Sequence, residues 1–326
     1  MALLRRLVYG LVVTALMLGA AEVALRAADW PPPGEVGPNG FVHRSVYWIE
    51  PPNQQQKAHD HKETGGSFTV TTDENGLRAP VHAERKPEGA FRVMTLGCST
   101  TFGWGVDDSA TYPARLEALL GEAGKKVEVI NAGQPGHTSF QGMWLWEGVL
   151  ARYKPDIVVW GYLVQDARKV AYTDLSQAVL QREGDFLKRH FLYKWRLYVA
   201  MKARIDDITI VAKDNPERDG VHRVPPAEYA ANIRALKART DRAGARFVLF
   251  GFPLEREGYT ADHRRILHAA SKVLDVPMFD PQPEMDEAAR AQTLYFPTDR
   301  GHANAAGLDW IARRMTTFLL DHELIP

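Results

Sequence analysis

Hydrophobic and polar positions divide the chain into three regimes. The first is an apolar run, LVYGLVVTALMLGAAEVAL, directly behind Arg5 and Arg6 and carrying Glu22 near its far end. Its length is close to the roughly 20 residues that cross a bilayer as a helix, so residues 1–29 read as an export element. An uncleaved anchor would keep the arginine pair on the cytoplasmic side and place everything after residue 30 outside. A cleaved signal peptide is the alternative, but no small-x-small site separates the apolar run from Glu22 and Arg26, which favours the anchor.

The second regime, residues 30–67, runs from WPPPGEVGPNG through PPNQQQKAHDHKETGG and reads as a polar stalk with few core contacts. His59, Asp60 and His61 lie in it without further ligands at metal-binding spacing, so they are expected to be solvated rather than to hold a metal. The segment FTVTTDENGLRAP then predicts a short strand and turn leading into the third regime, residues 68–326.

From residue 91 short apolar runs alternate with longer amphipathic ones, the pattern of strands buried on both faces with helices crossing between them. FRVMTL (91–96), KVEVINA (126–132), DIVVWGY (156–162), RFVLFGF (246–252) and VPMFD (276–280) are the predicted strands. TYPARLEALLGEAG, FQGMWLWEGVLARY, PPAEYAANIRALKARTDRAG, TADHRRILHAASKVL and ANAAGLDWIARRMTTFLLDH are the predicted helices. The alternation specifies a three-layer α/β/α sandwich on a five-stranded parallel sheet, with the strand order left open. Between the third and fourth strands lies an insertion, 170–225, longer than a crossover helix needs. In it Leu187, Phe191, Trp195, Tyr198 and Ile205 recur at helical spacing beside Lys188, Arg196 and Lys202. A helix packed on the sheet with a basic solvated face is the first reading; a lid or interfacial helix at the membrane is the second.

Composition changes this picture in two places. Lys plus Arg and Asp plus Glu number 40 each, so no net field recruits nucleic acid. The single cysteine, Cys98, excludes an intrachain disulfide, so the core must hold the fold by itself.

In an open parallel sheet the reactive groups gather beyond the carboxyl ends of the strands. After the first strand, GCSTTFGWG places Ser99 in a turn entering a helix, where backbone amides favour negative charge. After the second, GQPGHTS offers the unobstructed amide of Gly136 beside His137; after the third come Gln165 and Asp166. Before the last helix, TDRGHANAAG sets Asp299 three residues ahead of His302, so a carboxylate can orient an imidazole toward a serine. Singly these are ordinary residues, a helix cap, a turn glycine, a turn-forming aspartate. Their order along the chain, each at a strand's carboxyl end, is what suggests a serine nucleophile with its base.

These stretches, LGCSTTFGWGV, VINAGQPGHTS, PDIVVWGYLVQDA and FPTDRGHANAAG, resemble the four blocks of the GDSL/SGNH hydrolase superfamily, with TDENGLRAP similar to the lead-in of membrane-anchored bacterial members. The resemblance spans residues 68–320. It implies a flavodoxin-like fold and serine esterase chemistry without metal or organic cofactor, with Ser99 as nucleophile, His302 as base and Asp299 as its orienter. It also implies an oxyanion hole of the Ser99 and Gly136 amides and the Gln165 side chain, and makes His137 and Asp166 candidates for the substrate pocket. Two positions depart from the family: Gln165 stands where the family has an asparagine, and Cys98 where it commonly has an aspartate. The expected substrate is an ester, an acylated envelope glycan or lipid or a short acyl ester, met at the extracytoplasmic face of the membrane or, with a cleaved signal, as a secreted protein. Acyl transfer through the same triad, or a weakened binding or scaffold protein that kept the fold, are the alternatives.

Overall fold

The computed structural model describes residues 1–28, 48–61, 64, 66–183, 192, 195–201, 220–255, 258–299 and 301–326. The chain divides into two compact units, one of residues 1–48 with 174–220 and one of residues 49–173 with 221–326.

In the first unit, helix Ala2–Ala27 contains a stretch, Arg5–Ala27, of mean hydropathy 1.9 and only 6% buried. By length and composition it can cross a membrane, as a signal sequence also can. Glu22 is not idle in it: its carboxylate accepts from Arg26 Nε at 2.7 Å and from the backbone N–H groups of Arg196 and Leu197 at 3.0 and 2.8 Å. The acidic residue that interrupts the apolar run thus caps a helical turn of the insertion. The amphipathic stripe expected in the insertion lies outside the described residues except for Trp195, Arg196 and Tyr198.

The second unit opens with a hairpin, β1 (Lys57–His61) paired antiparallel with β2 (Gly66–Val70). This corrects the expectation of a stalk with few core contacts up to residue 67. Gln54 and His61 are buried, and Phe68 and Val70 pack on Phe102. A polar stretch can form this element because its strand is held by the backbone ladder and by imidazole and aromatic packing, not by an alternation of aliphatic side chains. The hairpin is tied down where Asp107 accepts from the Thr69 amide and hydroxyl, both at 2.8 Å.

The main sheet contains β3 (Phe91–Gly97), β4 (Val127–Gly133), β5 (Ile157–Gly161), β8 (Arg246–Phe250) and β9 (Met278–Phe279). A small antiparallel pair, β6 (Lys169–Val170) with β7 (Val221–His222), lies between them in sequence. All five main strands are parallel in the order β4-β3-β5-β8-β9, the flavodoxin-like order, so β3 is flanked by β4 and β5. Period-two alternation sorts the strand side chains between two core layers. Val93, Val129 and Val159 face Leu116, Ile311 and Met315 of helices Tyr112–Glu122 and Ala305–Asp321. Met94, Ile130, Val158 and Trp160 face Trp146, Ile233 and Leu236 of helices Ser139–Gly148 and Pro226–Arg242. Each fully buried aliphatic side chain contributes about 1.5–3 kcal/mol, so both layers are needed to hold the sheet. Helix Ala261–Leu274 completes the predicted set; helix Gln282–Ala288, opened by a proline pair of positions around Gln282, was not expected.

Candidate active site

Strands β3, β4 and β5 end in glycine at the same register, Gly97 beside Gly133 and Gly161. A Cβ on Gly133 would overlap the backbone nitrogen of Phe102, so the missing side chain lets the short helix Ser99–Phe102 settle directly on the sheet edge. Asn131 holds that helix from β4, donating from Nδ2 to Phe102 O at 3.3 Å. Arg78 holds it from the NGLRAP turn: its guanidinium is fully buried, donates to the carbonyls of Phe102, Gly103, Thr69 and Val106, and pairs with Asp108 at 2.9 Å. The lead-in motif is therefore a clamp on the turn that presents Ser99.

Ser99 is the first residue of that helix, and its own N–H precedes the first bonds of the turn, which run from the Thr101 and Phe102 amides to Cys98 O at 3.1 and 2.9 Å. Its Oγ lies 2.8 Å from His302 Nε2, and His302 Nδ1 lies 2.6 Å from Asp299 Oδ2. Because the carboxylate only accepts, the proton sits on Nδ1, leaving Nε2 to accept from the serine hydroxyl. Burial alone would raise the Asp299 pKa, but the hydrogen bond and charge of His302, the Gly301 amide and the charge of His61 outweigh it, and the carboxyl is held below its ordinary value. Two residues that are 203 positions apart thus meet at one rim.

Gly136 and Gln165 follow the flanking strands β4 and β5. Gly136 adopts φ +76°, which a side chain would disfavour. Arg223, buried at 3% exposure, joins the two: its Nη1 donates to Gly136 O at 2.8 Å and to Gln165 Oε1 at 2.9 Å. With its oxygen committed to the guanidinium, Gln165 has its NH₂ left to donate elsewhere. Sequence reasoning missed Arg223, which lies at the end of the insertion in a stretch, VHRVPP, with no motif around it.

His137 and Asp166 are corrections. Both are fully buried, and Asp166 accepts from the Ser139 amide through both carboxylate oxygens, at 2.9 and 3.2 Å, capping helix Ser139–Gly148. They shape the wall behind the rim and do not line an open pocket. Cys98 is buried with Sγ 3.2 Å from Thr100 Oγ1, and burial pushes its thiol pKa up, away from the thiolate a nucleophile needs. A second missed residue is His61, whose Nε2 lies 3.3 Å from Asp299 Oδ2. Its only signal in the sequence was a polar HDH tripeptide.

Residues 95–310 match the sequence profile of the GDSL-like lipase/acylhydrolase family. No curated protein matches the chain. Similar solved structures include an acetylxylan esterase from Geobacillus stearothermophilus (18% identity, 70% of this chain and 94% of that one, TM-score 0.47). Others are a lipase/acylhydrolase from Enterococcus faecalis (14%, 70% and 95%, 0.48) and an alpha/beta hydrolase enzyme from the metagenome of Lake Arreo, Spain (18%, 70% and 94%, 0.48). With the profile running from the nucleophile strand into the final helix, the chain belongs to the GDSL-like lipase/acylhydrolase family and is a serine hydrolase of the esterase type.

Proposed function

We propose that the protein cleaves a carboxylic ester through an acyl-Ser99 intermediate, with His302 as general base and Asp299 as its orienter. The observation that carries this reading is the unbroken chain from Ser99 Oγ to His302 Nε2 and from Nδ1 to Asp299, at 2.8 and 2.6 Å. His302 takes the hydroxyl proton as Ser99 attacks the acyl carbon, and the imidazolium is stabilised by Asp299. The carbonyl oxygen becomes an oxyanion, received by the amides of Ser99 and Gly136 and the NH₂ of Gln165. On collapse His302 returns the proton to the departing alcohol. Water, activated by the same imidazole, then attacks the acyl-serine, and the proton it surrenders restores Ser99 as the acid is released.

The substrate class follows from location. The apolar N-terminal helix supports export of the domain that starts near residue 49, with the helix retained as an anchor and the site on the extracytoplasmic side. Acylated envelope glycans or lipids and short acyl esters are the esters present there. Gln165 in place of a shorter amide favours a slow enzyme, and acyl transfer to a sugar hydroxyl uses the same intermediate.

The test is p-nitrophenyl acetate hydrolysis by the full chain in detergent beside Ser99→Ala. We expect Ser99→Ala to lower kcat by at least about a thousandfold. Equal rates in the two would end the esterase mechanism built on Ser99. Addition of an acylatable oligosaccharide separates transfer, seen as an acylated sugar, from hydrolysis.

A further inference from the structure

Asp299 is approached by two imidazoles, His302 at 2.6 Å and His61 at 3.3 Å. His61 closes β1, its side chain 2% exposed. Its Nδ1 faces Thr64, whose backbone N–H donates to it at 3.2 Å and whose hydroxyl lies at 2.8 Å. A ring nitrogen that accepts from an amide N–H carries no proton, so the neutral ring bears its hydrogen on Nε2. That nitrogen stands 3.3 Å from Asp299 Oδ2, the oxygen that also receives His302 Nδ1–H at 2.6 Å, close enough to act on the carboxylate by charge but short of a formed hydrogen bond. The other oxygen, Oδ1, accepts from the Gly301 amide at 3.2 Å.

The ring has a seat made for it. Phe296 lies against it with centroids 4.8 Å apart, and Phe68 meets it edge-on at 6.5 Å. The third wall is Gly105, in the loop that follows the nucleophile helix, with φ +90° and a position at which any Cβ would overlap the His61 ring. The second glycine of FGWG is thus accounted for by a histidine from a distant hairpin. Among the described residues, the charged group that approaches His61 is Asp299 of the C-terminal loop, and His59 and Asp60 precede it in its own strand.

We propose that His61 is a positioning residue for the esterase site: its Nε2–H, held 3.3 Å from Asp299 by the packing of its ring, closes onto the carboxylate in the working enzyme and keeps it in the orientation that holds His302 toward Ser99. An aspartate side chain turns easily about its last bond. His302 donates to Oδ2 and Gly301 to Oδ1, and the His61 Nε2 edge beside Oδ2 adds the third restraint that leaves it one orientation. This rests on the reading of Ser99, His302 and Asp299 as a triad, and the experiment separates the two.

Two substitutions divide the ring from the donor. His61→Phe keeps the stacking on Phe296 and Phe68 but has no Nε2–H; His61→Gln loses the ring but carries an N–H donor of similar reach. With full chain in detergent and folding checked by thermal melt, kcat and KM for p-nitrophenyl acetate are measured across pH. His61→Phe is expected to lower kcat about tenfold or more with KM within about twofold of wild type, and to move the acid limb of kcat/KM to higher pH, because a carboxylate with one donor fewer makes His302 more basic. His61→Gln is expected to keep kcat within about threefold. The reverse order, phenylalanine active and glutamine impaired, would mean that only ring packing matters and would overturn the proposal. Should His61→Phe not fold, His61→Leu takes its place. Independently of turnover, the far-downfield proton resonance of His302 Nδ1–H should persist in wild type and His61→Gln and shift or vanish in His61→Phe. An unchanged resonance in His61→Phe overturns the proposal even if Ser99→Ala and wild type hydrolyse ester alike, the separate result by which the triad reading itself would fail.

Discussion

A glutamine one methylene longer than asparagine would swing its amide through a wide arc were its oxygen not held. Arg223 holds it, and at the same time grips the Gly136 carbonyl, so two of the proposed oxyanion donors share one buried guanidinium. Arg223→Met, similar in length but without donors, should therefore lower kcat by about 10- to 100-fold with little change in KM, since oxyanion donors act on the transition state. Steady-state kinetics check this; a change confined to KM would count against it. A different buried residue sets the response to acid. His263 is fully buried, its Nε2–H donates to Val224 O at 2.8 Å, and burial, reinforced by the nearby His222, lowers its pKa to about 4. The unfolded chain takes up a proton at this position near the ordinary value of 6.5, whereas the folded one does not until about 4. Stability from this group is thus complete above pH about 6.5 and lost as pH falls toward about 4. His263→Gln, which keeps a donor for Val224 and does not titrate, should flatten the dependence of Tm on pH in that window, whatever its effect at neutral pH.

At the scale of elements, the decisive contact is between a strand end and a one-turn helix. Gly133 lets Ser99–Phe102 lie on the sheet edge, and Gly133→Ala would push the backbone of Phe102, and with it Ser99, away from His302. The expected result is a loss of about 1–3 kcal/mol of stability together with a fall in kcat; denaturant unfolding and kinetics on the same sample measure both. The strands themselves were legible because they are runs buried on both faces, and each starts and ends within a few residues of its expected bounds. The hairpin β1–β2 was not legible. Its strands contain Lys57, His59, Asp60 and Ser67, so no alternation marks a buried face, and its order comes from pairing across the turn and from rings that find partners in loops far along the chain. Asp166 shows the same limit from the other side: its position at the rim was readable, its burial was not.

At the scale of the whole molecule, the N-terminal apolar helix is long enough to cross a membrane, as an anchor or as a signal sequence. Glu22 accepts from the amides of Arg196 and Leu197, so the apolar helix has a fixed partner in the insertion, which a cleaved signal peptide would leave behind. The expectation is that the protein expressed from its full chain stays in the membrane pellet after alkaline carbonate extraction and retains its intact mass. A soluble product shortened at the N-terminus would instead identify the run as a signal peptide.

The linear order of residues determined the sandwich, its parallel sheet, the placing of Ser99, Gly136 and Gln165 after strand ends and that of Asp299 and His302 just before the last helix, because those features follow from local periodicity and from the rule that open sheets work at their carboxyl edge. Tertiary structure alone decided which polar residues reach that edge. Burial sent Asp166 and His137 behind it, and long-range packing brought His61 and Arg223 up to it from a hairpin and from the end of an insertion. Such contacts join residues whose separation along the chain carries no signal, and they exist only once the core has folded.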